Sequence, residues 1–403
     1  MQSDASDYYP QGVKEKTSGE ADVEEEDHTN CKEAGYYFGD AVFGTFVVAP
    51  LVIITWKGTW GLMDLQPKMF PFAQIFILGM VIHVTFVVLR SHLFSRSRNA
   101  WGEGRAGRWL RERLICRIYT YVFLLSCVMH WRGGWGLFDA TVDAITPDTG
   151  DPHRPLVLAA LTLLLCIVVT CLRSTRNLLA SPYFLCADGK EDTYLFTTRF
   201  KILSSKETAL YILDCVFSVA VVGSLVVFVW RGSWALLDIF LYPEDAVKSC
   251  WTSLVVGYAL VVLTFAAQTP MRWAVARSQG AVRLLLADLY HLVSFIATVN
   301  VWRGVWGLMD IYFFPETPKL SNWCSHIISL VLLILLNCSN SVLVRGVYID
   351  AEEPAGDCVV FPCHYLRLYL HKERIKKRHK DVTQSAKETE EANVPLQMPE
   401  EKV

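Results

Sequence analysis

This chain of 403 residues is short of charge: Asp, Glu, Lys and Arg together make up 19% of it. Soluble domains carry about a quarter, so the low figure argues against the soluble domains of about 150 residues that the length alone would suggest. Catalytic motifs are also missing. There is no P-loop, no His-Glu-x-x-His, no Gly-x-Ser-x-Gly elbow and no paired acid/base carboxylates; the chain therefore reads as a non-enzyme with no cofactor and no metal. Gly102-x-Gly104-x-x-Gly107 matches the dinucleotide fingerprint by letter. It lies in an Arg-rich stretch without the strand and helix that the fingerprint needs. Nothing points to nucleic acid. No basic segment followed by an apolar one opens the chain, so no cleaved signal peptide is expected. Twelve cysteines show no disulfide framework. Cys250 and Cys324, each beside a Trp, are one pair that could bridge, with free thiols the default.

What the chain has instead is apolar length. Residues of the AVILMFWYC set reach 52%, concentrated in runs of about 20, enough to cross roughly 30 Å of hydrocarbon as a helix. Eight runs stand out: Tyr36 to Trp56, Phe70 to Leu89, Leu114 to Trp131, Leu156 to Leu172, Ala209 to Trp230, Trp251 to Gln268, Leu284 to Trp302, and Trp323 to Val344. The expected fold class is an all-α membrane protein with eight transmembrane helices. Residues 1–35 form an acidic cytoplasmic tail, 36–345 the bundle, and 346–403 a second tail. The connectors after runs 2, 4 and 6 hold 8, 6 and 3 Lys or Arg, against 2 in each of the four on the other side. Positively charged loops stay cytoplasmic, which predicts both termini in the cytosol. The sequon Asn337-Cys338-Ser339 falls within the last run.

One pattern recurs four times, each time at the end of an odd-numbered run: W-[KR]-G-x-W-[GA]-L-x-D. It begins at Trp56, Lys57, Trp60 and Asp64; returns at Trp131, Arg132, Trp135 and Asp139; again at Trp230, Arg231, Trp234 and Asp238; and finally at Trp302, Arg303, Trp306 and Asp310. Eight of the chain's 13 tryptophans lie in it. Each copy is followed by a proline (Pro67, Pro147, Pro243, Pro315) and a returning run that ends at an Arg. The unit reads as a helical hairpin repeated over 36–89, 114–172, 209–268 and 284–344 and stacked on itself. Indoles favour the membrane–water boundary. The third-position Gly allows a tight turn or a close helix contact. The Asp, seven residues after the basic position, could pair with it within or between repeats. One reading is an aromatic belt with a helix-ending turn that locks hairpins together. The other is a ring of Trp-Arg-Asp sets around an outward-facing site for an anionic ligand, a lipid head or a partner's ectodomain.

Ionisable groups inside a span are default functional candidates. Asp40 and Asp214 each lie 16 residues before the boundary Trp, about 24 Å, and so near the cytoplasmic edge. Asp288 and His291 are deeper and share a helix face, as a proton-linked pair would. His83, Asn337 and Asn340 are further polar groups. Interhelical hydrogen bonding below about 2 kcal/mol each is the bland alternative for all of them. Pro50 should kink the first helix. Beyond the last run, the polybasic segment 364–380 carries Arg367, Lys372, Arg374, Lys376, Lys377 and Arg378, a set that attracts anionic inner-leaflet lipid at about 1 kcal/mol per charge. Cys358 and Cys363 beside it read as palmitoylation sites.

From roughly Tyr36 to Arg345 the four tandem Trp-[Lys/Arg]-Gly-x-Trp units resemble the fuseless family of invertebrate membrane proteins, with Lys57 and Ala235 departing from the majority pattern in this chain. The resemblance implies a protein of the presynaptic plasma membrane, linked to calcium-channel organisation and neurotransmitter release. An ion channel or another synaptic protein would then be its partner, beside membrane lipid. It carries over no catalytic or ligand residues. A transporter or channel using Asp288, His291, His83 and Asn337 along a central path is the alternative from a different class.

Overall fold

The computed structural model describes residues 35–98, 104, 107, 114–148, 150–188, 194, 196–202, 208–344, 346–363 and 365. The polybasic set and the acidic tail lie outside them. Among the described residues every regular element is a helix, and the only β-type pairing is a bridge between Leu185 and Cys363. Eight long helices follow one another: α1 Gly35–Asp64, α2 Phe72–Arg98, α3 Cys116–Ile145, α4 Arg154–Cys171, α5 Thr208–Phe240, α6 Ala246–Arg277, α7 Gly280–Tyr312 and α8 Pro318–Leu335. Seven are long and apolar enough to cross a membrane. The exception is α3, where Arg117, His130, Arg132 and the pair Gly133-Gly134 dilute the apolar run.

Local chemistry sets the ends. Proline occupies the first turn of α4 and α8, where its missing N–H costs nothing. Asp245 caps α6 by accepting from the Lys248 amide. α4 and α8 close in the same way: Arg173 and Asn337 take positive φ (50° and 57°), and the amides of Ser174 and Cys338 reach back to Val169 and Leu333. A 3-10 turn follows each, Thr175–Leu178 and Ser339–Val342.

Three expectations are corrected here. The Trp motif is not a turn, because α1 stays helical to its last residue, Asp64, and α3, α5 and α7 stay helical beyond it. Asn337, Cys338 and Asn340 lie past the end of α8 rather than within a span. Consecutive helices across the Trp corners barely pack on each other. The broad interfaces are α2 on α3, α4 on α5, α6 on α7, and α8 back on α1, so each returning helix leans on the next motif helix. Close approach explains the third-position Gly of the motif: a Cβ on Gly58 would overlap the backbone of His326 in α8, and one on Gly304 the backbone of Leu254 in α6.

The motif helices form the inner ring and the returning helices surround it. Of the apolar windows, 44%, 50% and 61% is buried in α1, α5 and α7, against 22%, 17%, 28% and 33% in α2, α4, α6 and α8. Exposed side chains such as Leu163, Leu164, Val255, Leu263 and Leu335 leave the outer surface apolar, as contact with lipid requires. α1 contains a widened π turn at Gly44–Val48 directly before Pro50, and α5 has one at Phe217–Gly223 where Ser224 stands in the place of Pro50. The wide turn is therefore a property of both helices, and Pro50 exploits it rather than causing it.

Candidate functional site: the tryptophan axis and the connector layer

The eight motif tryptophans point inward and stack as two square rings. Trp56, Trp131, Trp230 and Trp302 meet edge to face, with centroids 5.4 to 5.8 Å apart and planes at 74° to 80°. One helical turn further, Trp60, Trp135, Trp234 and Trp306 repeat the pattern at 5.4 to 6.0 Å and 75° to 89°. Edge-to-face contact is the arrangement the indole quadrupole prefers, and four such contacts close on themselves because four helices carrying the same motif stand in register. They line a partly open cavity of about 160 Å³. None of them serves as a headgroup belt.

Around the rings runs a belt of ion pairs, all between neighbouring repeats. Arg132 pairs with Asp64 at 2.7 Å, Arg231 with Asp139 at 2.6 Å, Arg303 with Asp238 at 2.9 Å, and Lys57 closes the circle on Asp310 at 2.8 Å. The cations are mostly buried and the carboxylates half exposed. Arg132 also donates to the Phe70 carbonyl and Arg303 to Ser253 and Ser249, so their donors are satisfied where water is scarce.

At the other end of the axis the connectors after α4 and α8 fold together and line a second, partly open cavity of about 370 Å³, with Trp56, Trp131, Trp230 and Trp302 on its inner side and Arg176, Asn177 and Ser181 among its lining. Three indoles are tied to this layer: Trp56 donates to Val342, Trp230 to Leu178 and Trp302 to Ser181, all through backbone carbonyls at 2.8 or 2.9 Å. The two connectors also exchange caps. Asp350, from the second, accepts from the amides of Thr175 and Arg176 in the first; Asp188, from the first, accepts from the amides of Ser339 and Asn340 in the second.

Asp40 and Asp214 serve as backbone acceptors at this same end. Asp214 receives the amides of Phe200 and Ile202, and Asp40 that of Tyr365. His83 is buried with both ring nitrogens unpaired among the described residues, edge-on to Phe123 and Phe196 and beside a space of about 30 Å³. Asn337 donates to the Asp188 carbonyl. Asp288 and His291 come together as their spacing implied, with Thr175 between them: its hydroxyl lies 3.0 Å from Asp288 and 3.5 Å from His291 Nδ1. Their third partner, Asp350, was missed, because it sits in a connector with no motif around it. Its carboxylate accepts from the amides of Thr175 and Arg176 and from the Thr175 hydroxyl. Palmitoylation of Cys358 or Cys363 is excluded by their position: both are buried, Cys363 bonds the Pro182 and Tyr183 carbonyls, and burial pushes the Cys358 thiol up. Cys250 and Cys324 are both free thiols.

These features define a helical membrane-type bundle built around an aromatic axis. The Fuseless family model matches residues 32–343, most of the chain, and the protein belongs to the Fuseless family. No curated protein and no solved structure matches it.

Proposed function

We propose that this protein is an eight-span bundle of four repeats with both termini in the cytosol, acting in the presynaptic plasma membrane as a non-enzymatic organiser of calcium channels and transmitter release. The synaptic role is what family membership implies. The observation that carries the organiser reading is the closed circle of inter-repeat ion pairs. It ties every motif helix to both neighbours at the tryptophan end, which opposes the rocking of two halves that alternating access demands. A body of this kind holds a fixed shape while its outer helices meet lipid and partners. Its test is replacement of Arg132, Arg231 and Arg303 together by Ala in neurons. Calcium channels should disperse from release sites while the variant still reaches the membrane; channels that stay clustered would overturn the reading.

A second reading, conduction of a small solute or ion, is favoured by the two cavities stacked on one axis and separated by the first tryptophan ring. Reconstituted liposomes decide between the two. Flux that rises when Trp131 is replaced by Ala would support a gated path, and silence in both proteins leaves the organiser.

A further inference from the structure

The exchanged connectors make two equivalent pockets, and their chemistry is opposite. In the first, Asp188 meets the Arg117 guanidinium, Thr120 stands one turn further along α3 and bonds Asn340, and the pocket balances one negative with one positive charge. Counting from the motif tryptophans Trp131 and Trp302, the position of Arg117 in α3 is that of Asp288 in α7, and Thr120 is that of His291. The second pocket therefore holds Asp350, Asp288 and His291, all at most 4% exposed. Where its counterpart has a cation it has a second carboxylate.

Beyond the two amides that cap Asp350, donors are few. His291 Nε2 faces the Cys358 carbonyl at 3.2 Å. A carbonyl only accepts, so that nitrogen carries the proton. Nδ1 faces Asp350 Oδ1 at 3.6 Å, too far for a hydrogen bond. The single Thr175 hydroxyl proton is shared between Asp288 Oδ1 and Asp350 Oδ2, at 3.0 and 2.8 Å. The neighbouring arginines do not bond the two carboxylates. Arg173 donates to the backbone carbonyl of Asp350 and Arg176 to Glu353, and among the described residues no guanidinium bonds either carboxylate. Two amides reach Asp350 but only the shared hydroxyl reaches Asp288, and two carboxylates buried together without a bonded cation are costly.

The geometry points to a divalent metal ion held between Asp288, His291 and Asp350. Their ligand atoms lie within 4.8 Å of one another, so a shift of under about 1 Å brings them to the separation of donors about 2.1 Å from one centre. The Thr175 hydroxyl is at hand as a further oxygen. A 2+ ion would bring this pocket to the same neutrality that Arg117 gives the other. The Nε2–H bond to a backbone carbonyl is the second contact that metal-bound histidines make. One imidazole with two carboxylates favours Zn2+ or Mn2+ over the all-oxygen cations.

The full-length protein, purified in detergent, stripped with a chelator, exposed to Zn2+ or Mn2+ and desalted, should retain a single equivalent by elemental mass spectrometry. Asp288→Arg with His291→Thr copies the first pocket into the second. It should retain none, yet unfold at no lower temperature than the stripped parent, while Asp139→Asn in the belt retains the full equivalent. Should the double variant not fold, Co2+ loaded into the parent supplies a visible absorption band, which Asp288→Asn and His291→Gln should each abolish. A parent that keeps no more metal than the double variant, or a cobalt band indifferent to His291→Gln, would overturn the assignment.

Discussion

The two ends of the axis obey different symmetries. At the tryptophan end four copies of one nine-residue motif do the same thing four times, and each departure is absorbed: Lys57 reaches Asp310 as the arginines reach their partners. At the connector end only a twofold likeness survives, with Asp188 and Asp350 exchanged between loops, and there the likeness of chemistry fails as well, since Arg117 answers to Asp288. Repetition at the first end carries structure, and the break in it at the second concentrates buried charge. Chemistry is to be sought where a repeat stops repeating.

The largest effect should come from the neutral pocket. Asp188→Ala strands the Arg117 charge and the amides of Ser339 and Asn340, and breaking a buried pair from one side costs about 3–5 kcal/mol; unfolding in detergent followed by tryptophan fluorescence should show it. The same readout on metal-stripped protein sharpens the contrast. Asp350→Asn should cost less than Asp188→Asn, since it relieves repulsion with Asp288, and a larger loss would mean the two pockets are alike after all. Next in size is crowding at the helix contacts. Gly304→Ala meets the Leu254 backbone and should lose about 1–3 kcal/mol, whereas Gly232→Ala meets the Thr162 side chain, which can rotate, and should lose less. Smallest is the belt: Asp139, 38% exposed against Arg231, should lose no more than about 1 kcal/mol on change to Ala in thermal unfolding.

The motif helices could be read from the chain because their information is local: Trp, basic residue, Gly and Asp recur at fixed spacing, and apolar length marks each helix. The register between helices could not. Whether Arg132 pairs with Asp139 in its own helix or with Asp64 in the neighbour depends on how the helices stand together, and the motif allows both. Reading the motif as a turn followed from its glycines, which serve helix contact instead. Asp288 and His291 were visible as charge within an apolar run. Asp350 was not, since a carboxylate in a polar connector is ordinary until the fold carries it 175 residues back to Thr175. The parallel small polar runs Ser174-Thr175-Arg176-Asn177 and Cys338-Ser339-Asn340-Ser341, each after a helix and each followed by an Asp, were the trace that could have revealed it.

The exchange of caps has a consequence for biogenesis. While the ribosome is still making α5, the turn at Thr175–Leu178 has no carboxylate to close it, because Asp350 does not yet exist. The first four helices must wait in the bilayer with an unfinished inner face, open to assembly factors, until nearly the whole chain has emerged. Two separately translated halves, split between Asp188 and Thr208, should each be unstable alone and rescue one another when made in the same cell.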